Sequence, residues 1–150
     1  MLLSSLFIKS TSEIEKKSII KKELPKGGIL EIPNIGLKRN FYDSSNVDRN
    51  IIVVKKSQYP NLGNSMLALA AHSGTGKYAY FNYLYKLKIG DFANVYYNNK
   101  KYSYVLVCKY NIKKDGTALI YKYKNYKTLV LITCKNNVKG MQTVYIFKEL

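Results

Sequence analysis

Apolar residues recur at alternate positions, or in short unbroken runs, along most of this chain, which is the period-two pattern of strands rather than the three-to-four spacing of helices. The segments ILEIPNIGL, NIIVVKK, MLALAAH, FANVYYNN, KKYSYVLVCKYNI, TALIYKY, TLVLITC and QTVYIFKEL are rich in β-branched residues and tyrosine and are bounded by Asn, Gly, Asp or Pro. Eight short strands predict a closed or nearly closed sheet. Asn98 and Asn99, between VYY and KKYSYVLV, predict a hairpin turn. One stretch departs from the alternation: in AYFNYLYKLKIGD, Phe81, Leu84, Tyr85 and Leu87 fall at helical spacing. The expected architecture is all-β with short helices, a closed eight-stranded barrel carrying one or two of them.

The start of the chain has a different character. MLLSSLFIKS is apolar for about eight positions, short of the ~20 needed to cross a bilayer and without the basic start and small-residue cleavage site of a signal peptide. The charged STSEIEKKSIIKKELPKGG follows and ends in Pro25, Gly27 and Gly28. Residues 1–27 are therefore expected to form an N-terminal tether or the remnant of a membrane anchor, and residues 28–150 the compact domain. At 150 residues the chain is long enough to fold as one domain without a disulfide or a structural metal.

Charge changes this picture only modestly. The formal net charge is +16, which attracts phosphate. Yet the basic residues are scattered lysines, with Arg39 and Arg49 the only arginines, whereas nucleic-acid sites favour the bidentate arginine fork. The charge suits an anionic cell wall or membrane surface equally well, and nucleic acid is not expected as a partner. GTGK at residues 74–77 lacks the spacing of a phosphate loop and reads as a turn. No HExxH, CxxC pair or carboxylate cluster points to a metal.

Two side chains carry candidate chemistry. Cys108 lies inside an apolar run, as a packing cysteine does, but Cys134 stands where LVLIT breaks into Lys135, Asn136 and Asn137. The only histidine, His72, likewise ends an apolar run, with SGTG opening a loop directly after it. Reactive groups gather at element ends, where a rigid scaffold holds them within reach of substrate. A cysteine nucleophile also needs a proton carrier to expel an amine.

LEIPNIGLKRNFYD, NSMLALAAHSG, YFNYLYKLKIGD and LVLITC occur in the order seen in sortases, the cysteine transpeptidases of Gram-positive surfaces, and the chain resembles that family from about Leu30 to Glu149. The family's TLxTC is here VLITC, with Val130 in place of the first threonine. The resemblance implies an eight-stranded barrel with His72 and Cys134 facing one groove, and Ser73 and Thr133 as substrate-binding neighbours. It implies cleavage of an LPxTG-like sorting motif near the C terminus of a surface protein, a thioacyl intermediate on Cys134, and transfer to a cell-wall amine, with no cofactor. The place of action would be the extracellular face of the membrane or the cell wall, with an N-terminal anchor. The family's catalytic arginine has no counterpart: KGMQTVYIF contains none, and the alignment puts Gln142 at that position, with Lys135 and Lys139 as alternative donors. That departure leaves a second reading, a weakened sortase-like module that grips peptide or anionic cell-wall polymer.

Overall fold

The computed structural model describes residues 26–43, 49–115, 120, 123–135 and 138–150. Among these residues eight strands are formed: β1 (Lys26–Ile32), β2 (Leu37–Tyr42), β3 (Ile51–Val53), β4 (Met66–Ala70), β5 (Phe92–Tyr97), β6 (Lys100–Lys113), β7 (Thr128–Cys134) and β8 (Met141–Glu149). They close into a barrel in the order β1-β2-β3-β4-β7-β8-β6-β5. Pairing is antiparallel except for β2 with β3 and β4 with β7.

The sequence ILEIPNIGL, expected as one strand, is divided. Pro33 opens a 3₁₀ turn over Pro33–Ile35, and Gly36 closes it at a φ of 65°, in the left-handed region that favours glycine. The chain reverses there, and β1 and β2 pair with Ile32 opposite Leu37. The strand expected at TALIYKY falls largely outside the described residues, and its described members Ile120 and Tyr123 are not in a strand. At the far end of β1, a Cβ on Gly28 would collide with the Phe41 ring and the Tyr96 carbonyl. Glycine is what lets β1 lie this close to its neighbours. The hairpin between β5 and β6 turns at Asn98 and Asn99, both with positive φ (51° and 63°), as a tight two-residue hairpin requires.

The helix expected between His72 and Gly90 is not formed. Among the described residues the stretch contains turns and one 3₁₀ segment, Leu84–Lys86. Its main-chain bonds run three residues back, from Asn82 to Ala79, Leu84 to Phe81 and Leu87 to Leu84. The buried positions Phe81, Leu84 and Leu87 are themselves three apart, while Tyr85 is 56% exposed. A repeat of three fits the 3₁₀ ladder, and the fourth-position residue that would have continued an α-helix turns to solvent.

Alternation along the strands builds two apolar clusters. The larger fills the barrel with Leu67, Leu69, Leu129, Leu131, Tyr145 and Phe147 among its members. The smaller comprises Ala68, Val130, Ile132, Val144 and Ile146, so it lies on the opposite face of β4, β7 and β8. Val54, Ile120 and Tyr123 pack against this second cluster. A fully buried side chain of this size stabilises the fold by about 1.5–3 kcal/mol.

Candidate active site

β7 is buried along its length until Cys134, its last residue, which is half-buried. Two hydroxyls tie this strand end to the end of β4. Thr133 Oγ1 donates to the Ala71 carbonyl at 2.8 Å, and Ser73 Oγ donates to the Cys134 carbonyl at 2.7 Å. His72 stands between those two anchored residues, and its own carbonyl accepts from the Phe81 amide at 3.0 Å. The parallel register ends with Ala70 opposite Ile132. Carried on by two residues, it brings His72 level with Cys134. Parallel partners share a face of the sheet, so on that extension His72 and Cys134 would both fall on the face that bears Ala68, Val130 and Ile132.

On the other side of β7, Gln142 is the direct antiparallel partner of Cys134 and of Ile112 on β6. Such partners have their Cβ atoms about 4.5–5.5 Å apart on one face. The alternation that includes Val144 and Ile146 therefore also includes Gln142, and the residue aligned with the family's arginine adjoins the thiol.

A cavity of about 640 Å³ opens on the opposite side, lined by Ser73, Asn82, Asn111, Thr133, Cys134 and Thr143 among others. Neither His72 nor Gln142 lines it. Cys134 thus borders two environments: the apolar face bearing the second cluster, and a cavity whose walls mix aromatic rings such as Phe81 and Tyr145 with polar side chains. Ser73 and Thr133 line that cavity but spend their hydroxyl protons on the strand ends. Tyr145, on the cavity wall, has its phenol pushed up to about 12 by burial.

Both arginines are engaged elsewhere. Arg39 stacks 4.2 Å over Tyr80 and donates to its hydroxyl at 3.1 Å, and Arg49 lies 5.9 Å over Tyr78. They brace the loop that follows His72. Among the described residues a cation does reach the thiol: Lys114, with Nζ 4.0 Å from Cys134 Sγ. Sequence reasoning missed it. Lys114 lies 20 residues before the cysteine, in a lysine-rich strand end with no motif around it, and only the β6–β8 ladder brings it across.

The sequence pattern of the sortase domain matches residues 30–148. The chain belongs to the sortase family. It is a cysteine transpeptidase that acts on proteins bearing a sorting motif. Solved sortases share its fold. Sortase C1 from Streptococcus agalactiae is similar at 21% identity over 95% of this chain and 77% of that one, with a TM-score of 0.76. Sortase C-1 from Actinomyces oris is 20% identical over 82% and 73%, with a TM-score of 0.73. The sortase C of Clostridium perfringens, solved with a C-terminal cell wall sorting motif, is 22% identical over 86% and 72%, with a TM-score of 0.75. No curated protein matches significantly in sequence. Sortases act at the cell surface of Gram-positive bacteria. No helix among the described residues of this sortase is long and apolar enough to cross a membrane.

Proposed function

We propose that Cys134 is the nucleophile of this sortase and His72 its proton carrier, working at the outer face of the membrane on an LPxTG-like motif. The observation that carries the reading is the doubly tied junction of β4 and β7, which holds the two strand ends level through Thr133 and Ser73. The apolar residues of the motif would lie on the second cluster, with the segment holding Ile120 and Tyr123 as one wall. The Cys134 sulfur attacks the scissile carbonyl carbon as its proton passes to His72, and the carbonyl π electrons move to oxygen. Collapse then breaks the C–N bond, and His72 protonates the departing amine.

The thioacyl enzyme next meets an amine. The cavity beside Cys134 offers a route for it that does not cross the acyl chain, with Asn82, Asn111 and Thr143 as the polar part of a wall that also holds Phe81 and Tyr145. A cell-wall amine is the proposed acceptor. The acceptor nitrogen attacks the thioacyl carbon, the C–S bond breaks with its electron pair leaving on the Cys134 sulfur, and His72 relays the proton lost by the amine, which regenerates both partners. Gln142, the ladder partner of Cys134, would donate its amide to the substrate carbonyl as negative charge develops.

The test is mass-spectrometric cleavage of a panel of sorting peptides by the wild type, Cys134→Ala and His72→Ala. Because residues acting as one unit do not add, each single variant and the double variant should be equally inactive. An acyl adduct on Cys134 should appear with the wild type and persist when no amine is supplied. Near-normal turnover by His72→Ala would remove histidine from the reaction.

A further inference from the structure

The site lacks the arginine of its family, yet its thiol does not lack a cation. From the placement of Lys114 we infer that its ammonium is the charged catalytic residue of this sortase, taking from the end of β6 the part that the family assigns to β8. The inference rests on Cys134 being the nucleophile.

Three observations support it. First, Lys114 Nζ lies 4.0 Å from Cys134 Sγ, the reach of a long N–H···S contact. Second, the main chain holds the lysine there. The β6–β8 ladder runs to Lys113 opposite Met141 and is continued by the Lys114 amide donating to the Gly140 carbonyl at 2.9 Å. Met141 in turn accepts from the Lys135 amide at 2.8 Å, so the start of β8 joins Lys114 to the residue after the cysteine. Third, the other charges are placed differently. Arg39 and Arg49 face tyrosines, and Lys109, although on the cavity wall, donates to the Leu87 carbonyl at 3.0 Å. Lys135 lines the cavity on the far side of the cysteine from the motif face.

An ammonium at this distance meets two anions in turn. Before attack it faces the thiolate. After attack the negative charge sits on the oxygen of the carbon now bonded to Sγ, one bond further on, and a flexible lysine stem can follow it. When the C–N bond breaks, the charge on the oxygen is gone. Gln142, one ladder step away from Lys114, then supplies a neutral donor and the lysine supplies the charge.

Alkylation of Cys134, read by mass spectrometry, tests this without requiring peptide turnover. Iodoacetate is anionic and iodoacetamide neutral but otherwise similar, so their rate ratio reports local charge. Lys114→Met should lower the iodoacetate-to-iodoacetamide ratio at Cys134 by roughly threefold to tenfold, as expected for loss of one exposed charge at close range. Lys114→Arg should restore the ratio. The ratio at Cys108 serves as internal reference. In peptide cleavage, Lys114→Met should lower kcat with KM little changed, and Lys114→Arg should recover most of it. An unchanged ratio in Lys114→Met, or an equal fall in Lys135→Met, would overturn the assignment. Should Cys134→Ala still cleave peptide, the proposed nucleophile is wrong, while the alkylation ratio still reports whether Lys114 charges the thiol.

Discussion

Thr133 and Ser73 show how little separates a structural from a functional residue here. Thr133 is 4% exposed, and its hydroxyl satisfies the Ala71 carbonyl. Thr133→Val, nearly the same shape, leaves that acceptor unpaired and should cost about 1–3 kcal/mol in chemical denaturation. Ser73→Ala should cost less stability, since the site is half-open, but should slow peptide cleavage by loosening the Cys134 carbonyl. The cysteines divide similarly. Cys108 packs among the partly buried residues of the second cluster, so Cys108→Ala should lose about 1 kcal/mol with turnover kept. Cys134→Ala should do the reverse, and an exchange of these two outcomes would move the nucleophile to Cys108. That His72 follows one buried strand and Cys134 ends another was legible in the sequence, because each closes an apolar run, a local signal. Lys114 was not, because its neighbourhood is made by a ladder between distant strands and lysine is common throughout this chain.

Among elements, the period-two strands were legible and the proposed helix was not. Spacings of three and four coexist in YFNYLYKLK, and only packing decides which is used. Here Phe81, Leu84 and Leu87 point into the barrel and Tyr85 does not. The Pro33–Gly36 reversal was also readable, in principle, from a proline and a glycine three apart. The pairing of β1 with β5 has a polar tie of its own. The Glu31 carboxylate accepts from the Tyr96 hydroxyl at 2.8 Å and from Asn94 Nδ2 at 3.1 Å. The Tyr96 bond, then the Asn94 bond, holds the Glu31 carboxyl below its ordinary value of 4.5. A depressed carboxyl stabilises the fold above its unfolded value, and that contribution is lost as pH falls below 4.5 and through the folded value. Melting temperature recorded between about pH 6 and pH 3 should therefore fall more steeply for the wild type than for Glu31→Gln. Parallel curves would show that the tie does not couple to protonation.

For the molecule as a whole, tyrosine dominates the alkaline limit. Burial raises Tyr59 and Tyr145 to about 12 from an ordinary value of 10, and raises Tyr104 further in the same direction. A phenol harder to ionise in the fold than in the open chain stabilises fully below pH 10 and is lost as pH rises through the folded value. Circular dichroism should show cooperative unfolding beginning above about pH 10. Tyr104 is 1% exposed, and its hydroxyl has no partner among the described residues. Tyr104→Phe should therefore be neutral or stabilising at pH 7 and should move that transition upward. The barrel order has a further consequence, in time rather than in space. β7 and β8 come latest of the eight strands in sequence but insert between β4 and β6, which come earlier. A growing chain holds His72, just past β4, long before Cys134 at the end of β7 is added. Closure depends on pairings between remote segments, which are slow to form. Until those two strands enter, the proposed thiol and imidazole are held on unpaired segments, so a partly folded chain should be unable to form an acyl adduct with a sorting peptide, which mass spectrometry during refolding would read.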